Sequence, residues 1–128
     1  MKKHSRVWII DDSEMDNFLN KMILETTGFS EMVECFSNPL SALQILKEIG
    51  TKKDEERIPE IIFLDINMPL MTGFDFLDAL NNLSLSSLER IRFFLISSSE
   101  DPEDMNRINN YPQIIKYLNK PLNKAELI

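Results

Sequence analysis

Cysteine, histidine and tryptophan each occur once in this chain, as Cys35, His4 and Trp8. A single cysteine excludes an internal disulfide, and its place in Met32-Val33-Glu34-Cys35-Phe36 predicts a buried, reduced thiol. His4 has no neighbours that would make it catalytic and reads as part of a basic tail, whereas Trp8 reads as core. Long apolar runs are also missing. Behind the basic start Met1-Lys2-Lys3-His4-Ser5-Arg6, the stretch from Val7 to Ile10 ends on two aspartates, too short for a signal core or a membrane span. A cytoplasmic protein without membrane attachment is expected. Basic residues are outnumbered 14 to 21, giving a net charge of -7, so the surface repels nucleic acid and direct DNA binding is not expected. No internal repeat or low-complexity tract is present.

With 43% hydrophobic and 27% charged residues over 128 positions, the composition is that of one ordinary globular domain. Apolar, β-rich runs alternate with helical patterns, which predicts a parallel sheet covered by helices on both faces. Strands are expected near residues 6–10, 32–36, 61–64, 92–97 and 114–118. The first helix is expected from Glu14 to Thr26, capped by Ser13, with Phe18 and Met22, joined by Leu19 and Ile23, as its inward apolar face. A second begins near Pro39, capped by Ser37 or Asn38, and turns Leu40, Leu43, Ile45 and Leu46 toward the sheet before Gly50. The charged stretch from Thr51 to Arg57 reads as a solvated loop, or alternatively as a specificity loop for one partner. A third helix, from about Phe74 to Leu83, leads into an irregular connection over residues 84–88. The fourth, Glu103 to Asn110, is so polar that it is expected to be loosely held.

Four strand ends carry the chemistry. Ile61-Ile62-Phe63-Leu64 stops on Asp65 and then turns through Pro69 and Gly73, while Val7-Trp8-Ile9-Ile10 stops on Asp11 and Asp12. Two parallel strands ending this way bring three carboxylates to one sheet edge, where open α/β sheets bind ligands. Such a cluster persists comfortably with a hard cation such as Mg²⁺ among its members, so a metal site is predicted. In isolation, Asp11-Asp12 could equally serve a helix start, and Asp65 a turn. Near the end of the chain, Ile114-Ile115-Lys116-Tyr117-Leu118 runs into Asn119-Lys120-Pro121, placing an ammonium where it can meet an anion beside a peptide bond that is a candidate for the cis form. Arg92-Phe93-Phe94-Leu95-Ile96 ends on the hydroxyls of Ser97, Ser98 and Ser99.

In this order and spacing, Asp11-Asp12, Asp65 with Asn67-Met68-Pro69 and Gly73, Ser97, Tyr117 and Lys120-Pro121 closely resemble the receiver domains of two-component response regulators. The resemblance implies a flavodoxin-like doubly wound (βα)5 fold with a five-stranded parallel sheet in the order 2-1-3-4-5. It covers almost the whole chain, and the length suggests a single, free-standing receiver over residues 1–128 with a short or truncated last helix.

The resemblance also assigns roles. Asp65 becomes the phosphoacceptor, with Asp12, Asp65 and the backbone carbonyl of Asn67 as Mg²⁺ ligands and Asp11 helping directly or through water. Lys120 pairs with a phosphoryl oxygen, Ser97 donates to another, and Tyr117 follows Ser97 as the aromatic switch residue. Ser97 is aligned in preference to Ser98 and Ser99 because Ser99-Glu100-Asp101-Pro102 then falls where the family has an acidic loop. Many receivers carry Thr then Ala where this chain has Ser97 and Ser98, and Asn109-Asn110-Tyr111-Pro112-Gln113 stands where many have a small Gly-Ala step. Asn67, two residues past the acceptor, is polar and by analogy holds a water that influences acyl-phosphate lifetime.

The implied partners are a histidine kinase or a histidine phosphotransfer protein and an unspecified downstream protein, the chain being a monomer or weak homodimer. It is read as a signalling domain rather than an enzyme, acting as switch, relay or phosphate sink. The alternatives are a phosphorylation-independent interaction module and a Mg²⁺-dependent phosphohydrolase. Asn67 argues against the latter, since such enzymes commonly need an acid/base aspartate at that position.

Overall fold

The computed structural model describes residues 4–98 and 101–127. Five strands, β1 (Val7–Ile10), β2 (Val33–Phe36), β3 (Ile61–Asp65), β4 (Arg92–Ser97) and β5 (Ile114–Asn119), form one parallel sheet in the order β2-β1-β3-β4-β5. Five α-helices alternate with them: α1 (Glu14–Thr26), α2 (Pro39–Thr51), α3 (Gly73–Asn82), α4 (Pro102–Ile108) and α5 (Lys124–Leu127). A 3-10 turn at Ser86–Leu88 occupies the irregular connection. The flavodoxin-like expectation holds, including the strand order.

β1 and β3 are buried at every position because they lie inside the sheet with both faces covered, which is why they read as unbroken apolar runs. One core layer joins Trp8, Ile10, Leu64 and Leu95 to Ala42 and Leu46 of α2 and Phe74 and Leu77 of α3. The opposite layer joins Ile9, Phe63 and Ile96 to Leu24 of α1 and to Leu122 just before α5. Helices thus cover both faces, and every strand ends at the same edge.

Helix starts follow their caps. Ser13 Oγ accepts from Asp16 N, and Asn38, not Ser37, caps α2. Thr72 and Asp75 form a reciprocal capping box at α3. Gly73 packs against β3 so closely that a methyl group on it would meet the Asp65 carbonyl oxygen at 2.9 Å. At this position glycine lets the helix start approach the strand that carries Asp65.

Helix α1 turns most of the expected apolar face outward, Ile23 alone among its four residues packing on the core. Its buried residues are Asn17, Asn20 and Leu24, whereas Met15 (73%), Phe18 (63%), Leu19 and Met22 are exposed. The inward face is polar because it must bond loop backbone at the strand ends: Asn17 Nδ2 donates to the Asp11 carbonyl at 2.9 Å, and Asn20 Oδ1 accepts from Leu122 N at 3.4 Å. Leu40 of α2 is likewise exposed, its place toward the sheet taken by Ala42, Leu46 and Ile49.

Cys35 is exposed, not buried, since β2 is an outer strand paired only with β1; its Sγ lies 3.7 Å from the Asn17 carbonyl oxygen. Nor is His4 a loose tail. It packs on Phe29 with ring centroids 4.7 Å apart, and its Nδ1 lies 2.9 Å from Glu60, which also accepts from Ser5 N and Oγ. Those bonds, the Ser5 backbone N–H first, pull the Glu60 carboxyl down to about 2.

α4 buries none of its residues. Its tether is the segment that follows it. Tyr111 is buried against Phe74, donates its hydroxyl to Asp78 at 2.8 Å, and sits beside the Arg107 guanidinium, which lies 4.3 Å from the Phe74 ring centroid. The departure noted at residues 109–113 is therefore an anchor that locks the end of α4 onto α3.

Candidate functional site at the carboxyl edge of the sheet

Asp11 and Asp65 leave adjacent buried strands in the same direction, and both are nearly inaccessible, at 0% and 3% exposure. Asp12, next along the chain, is exposed. Carboxylate oxygens of Asp11, Asp12 and Asp65 all lie within 4.8 Å of one another. Asp11 Oδ1 accepts from Ser13 N at 3.0 Å, and Asp65 Oδ1 from Asn67 N at 3.3 Å, so each carboxylate is oriented by the turn that follows it.

Lys120 closes the site from the far side. Its backbone N donates to the Ser97 carbonyl at 2.9 Å and its peptide bond to Pro121 is cis. Nζ lies 2.8 Å from Asp11 Oδ2, 3.0 Å from Asp16 Oδ2 and 3.5 Å from Asp65 Oδ2. Burial acts to lower this ammonium, but the bonds to Asp11 and Asp16 and the charge of Asp65 outweigh it and hold the lysine above its ordinary value. Asp65 is raised too, which for a carboxyl disfavours the charged form. Burial first, then the charge of Asp11, push it up to about 7 against the opposing pull of Lys120 and the Asn67 N–H.

Ser97 is fully buried at the end of β4, and Asn67 Nδ2 donates to its Oγ at 3.4 Å. Strand alternation places Ser97 on the same sheet face as Phe93 and Leu95, and Tyr117, half-buried on β5 beside Leu95, packs on that face too. Ser98 is exposed, while Ser99 and Glu100 lie outside the described residues. The predicted site residues Asp11, Asp12, Asp65, Asn67, Ser97 and Lys120 therefore converge at one edge, with Tyr117 one layer away.

Asp16 is a member of this cluster that the sequence pattern did not single out. Its only signal was position: one turn beyond Ser13, on a helix that starts at the carboxyl edge. A separate cleft of about 360 Å³, lined by Leu80, Leu88, Phe93 and Pro112 among others, includes none of these residues.

An open parallel sheet with an acidic pocket and a lysine at its carboxyl edge defines the class: a doubly wound α/β domain whose charged cluster lies where such sheets bind ligands. The response regulator receiver domain matches residues 7–128, and the chain belongs to that family. It is thus a domain of two-component signalling. Among solved structures it is similar to a two-component response regulator from Cytophaga hutchinsonii, with 30% identity, TM-score 0.87, and coverage of 98% of this chain and 92% of that one. A response regulator receiver protein from Dyadobacter fermentans is 32% identical with TM-score 0.81, covering 96% of this chain and 91% of that one.

Among curated proteins, a two-component response regulator of Oryza sativa is 27% identical over 83% of this chain and 45% of its own length. A protein-glutamate methylesterase/protein-glutamine glutaminase of Burkholderia thailandensis is 37% identical over 61% of this chain and 19% of its own. The chain thus spans less than half the length of these curated relatives. No helix among the described residues is long and apolar enough to cross a membrane.

Proposed function

We propose that the chain receives a phosphoryl group on Asp65 from a phosphohistidine of a histidine kinase or histidine phosphotransfer protein, and passes the signal on through protein contacts. The observation that carries this reading is the placement of Asp65: a buried carboxylate at a strand end, with two further carboxylates within 4.8 Å and an ammonium at 3.5 Å. An oxygen of Asp65 attacks phosphorus, forming a P–O bond. The P–N bond of the donor breaks, and the leaving imidazole takes up a proton from solvent.

The donor set suits Mg²⁺, being all hard oxygen, with the exposed Asp12 leaving room for retained waters. Asp12, Asp65 and the Asn67 carbonyl would hold the ion, with Asp11 acting directly or through water. When bound, Mg²⁺ supplies positive charge to offset the clustered carboxylates and the incoming phosphoryl group. Lys120 meets one phosphoryl oxygen, and Ser97, released from Asn67, meets another. The phosphoryl group adds about -1.5 to -2 charges and three acceptor oxygens. Movement of Ser97 toward it opens space for Tyr117 on the same face, altering the surface formed by α4, β5 and α5.

The exposed α1 stripe supports a site for the donor. Met15, Phe18, Leu19 and Met22 recur at helical spacing on the solvent side of a helix whose first turn touches the pocket through Asp16. An apolar helical surface on the donor fits this stripe. Phe18→Asp is expected to block transfer from a phosphorylated histidine protein and to leave labelling by acetyl phosphate unchanged, measured side by side by intact mass.

Incubation with Mg²⁺ and acetyl phosphate tests the function itself. A single phosphoryl adduct on intact mass that depends on Mg²⁺ supports the reading. No adduct on a folded, Mg²⁺-binding chain would overturn it in favour of a phosphorylation-independent interaction module.

A further inference from the structure

Lys120 carries its ammonium on a flexible four-carbon stem, so something must fix where its three N–H donors point. Asp11 takes one at 2.8 Å and Asp16 another at 3.0 Å; the remaining direction faces Asp65 Oδ2 at 3.5 Å. Asp16 is itself held, because its backbone N–H donates to Ser13 Oγ at 3.2 Å, the cap of α1. Its side chain is 38% accessible, so solvent already satisfies much of that carboxylate.

We propose that Asp16 is a positioning residue: it holds the Lys120 ammonium so that its remaining N–H is aimed at the oxygens on Asp65. This rests on the phosphoacceptor reading above. It assigns a task to the first turn of α1, which would otherwise only cap a helix and carry charge suited to its positive end. Two carboxylates, one just past the end of β1 and one on α1, fix the ammonium along two directions, as a single partner could not.

The test is the rate of phosphoryl labelling by acetyl phosphate at saturating Mg²⁺, followed by intact mass, with Mg²⁺ affinity measured by calorimetry on the same proteins. Asp16→Ala is expected to label roughly tenfold more slowly, the scale of a misaimed catalytic contact, with Mg²⁺ affinity changed by less than about twofold. Asp16→Asn keeps an acceptor oxygen in the same place and is expected to recover most of the rate. In a Lys120→Ala background, Asp16→Ala should slow labelling no further.

Parental labelling by Asp16→Ala overturns the proposal, and so does an equal slowing in both backgrounds or a parallel fall in rate and Mg²⁺ affinity. Should Asp16→Ala not fold, Asp16→Ser, whose hydroxyl is too short to reach Nζ, takes its place. A parent chain that takes no label refutes the phosphoacceptor reading and this proposal with it, whereas a labelled parent beside an unimpaired Asp16→Ala refutes the positioning role alone.

Discussion

Replacing Asp65 with asparagine is expected to abolish phosphoryl labelling and, in the same protein, to raise the melting temperature measured without Mg²⁺. The amide has nearly the shape of the carboxyl but no charge and no nucleophilic oxygen anion. In the parent chain, burial and the neighbouring Asp11 push Asp65 from 3.8 up to about 7, so above pH 7 the fold holds a charge it resists. A shift of that size corresponds to about 4 kcal/mol, which relaxation and water entry reduce to about 2 kcal/mol. A rise of roughly 5–10 °C at pH 8 follows for a domain of this size. A variant that neither labels nor gains stability would show that the Asp65 charge is not held against its environment.

The pH dependence has a definite sign. Because the folded-state value of Asp65 lies above its ordinary 3.8, the folded chain binds more protons than the unfolded chain between that value and about 7. Stability without metal therefore falls as pH rises through this window and levels off above it. Glu60 acts oppositely, its carboxyl being lowered from 4.5 to about 2, so its contribution is present above 4.5 and is lost as pH falls. Melting curves between pH 5 and 8 check this, and Asp65→Asn should flatten the slope there.

The strands were legible because parallel strands buried on both faces must be apolar throughout, so β1 and β3 stand out, and the first polar residue after each marks the carboxyl edge. Asp11 and Asp65 could be found that way, whereas Lys120 was marked by its place before Pro121 just past the end of β5, a strand that is mostly not buried. Asp16 could not: its role depends on which way α1 faces, and the apolar pattern pointed to the wrong face. Met15, Phe18, Leu19 and Met22 recur as a core stripe would, yet Asn17 and Asn20 lie inside because they bond backbone that the strands leave unpaired. Periodicity detects an apolar face but not what that face will meet. Cys35 was misjudged for a related reason, since a short apolar run does not reveal whether its strand lies inside the sheet or at its border. Tyr111 was visible only as a departure from a small-residue step; that it bonds Asp78 on α3 is a tertiary fact.

Removing the lysine separates its charge from that of the Mg²⁺ proposed for this pocket. The Lys120 ammonium, 2.8 Å from Asp11 and 3.5 Å from Asp65, occupies carboxylate oxygens that Mg²⁺ would otherwise use and repels the ion directly. Lys120→Ala should therefore bind Mg²⁺ more tightly, by about fivefold to tenfold, or roughly 1 kcal/mol. Labelling at saturating Mg²⁺ should nevertheless slow by about 100-fold, since a preorganised charge-assisted donor to the transferred group is worth about 3 kcal/mol in such a site. Without metal the same variant leaves Asp11 and Asp65 buried with no cation between them, at a cost on the order of 3 kcal/mol, so its melting temperature should become strongly Mg²⁺-dependent. Tighter metal binding with slower chemistry is the signature of a residue that competes with the ion in the resting state and stabilises the phosphoryl group during transfer. If affinity and rate fell together, Lys120 would instead be shaping the pocket, and parental labelling in the variant would remove it from the transfer step altogether.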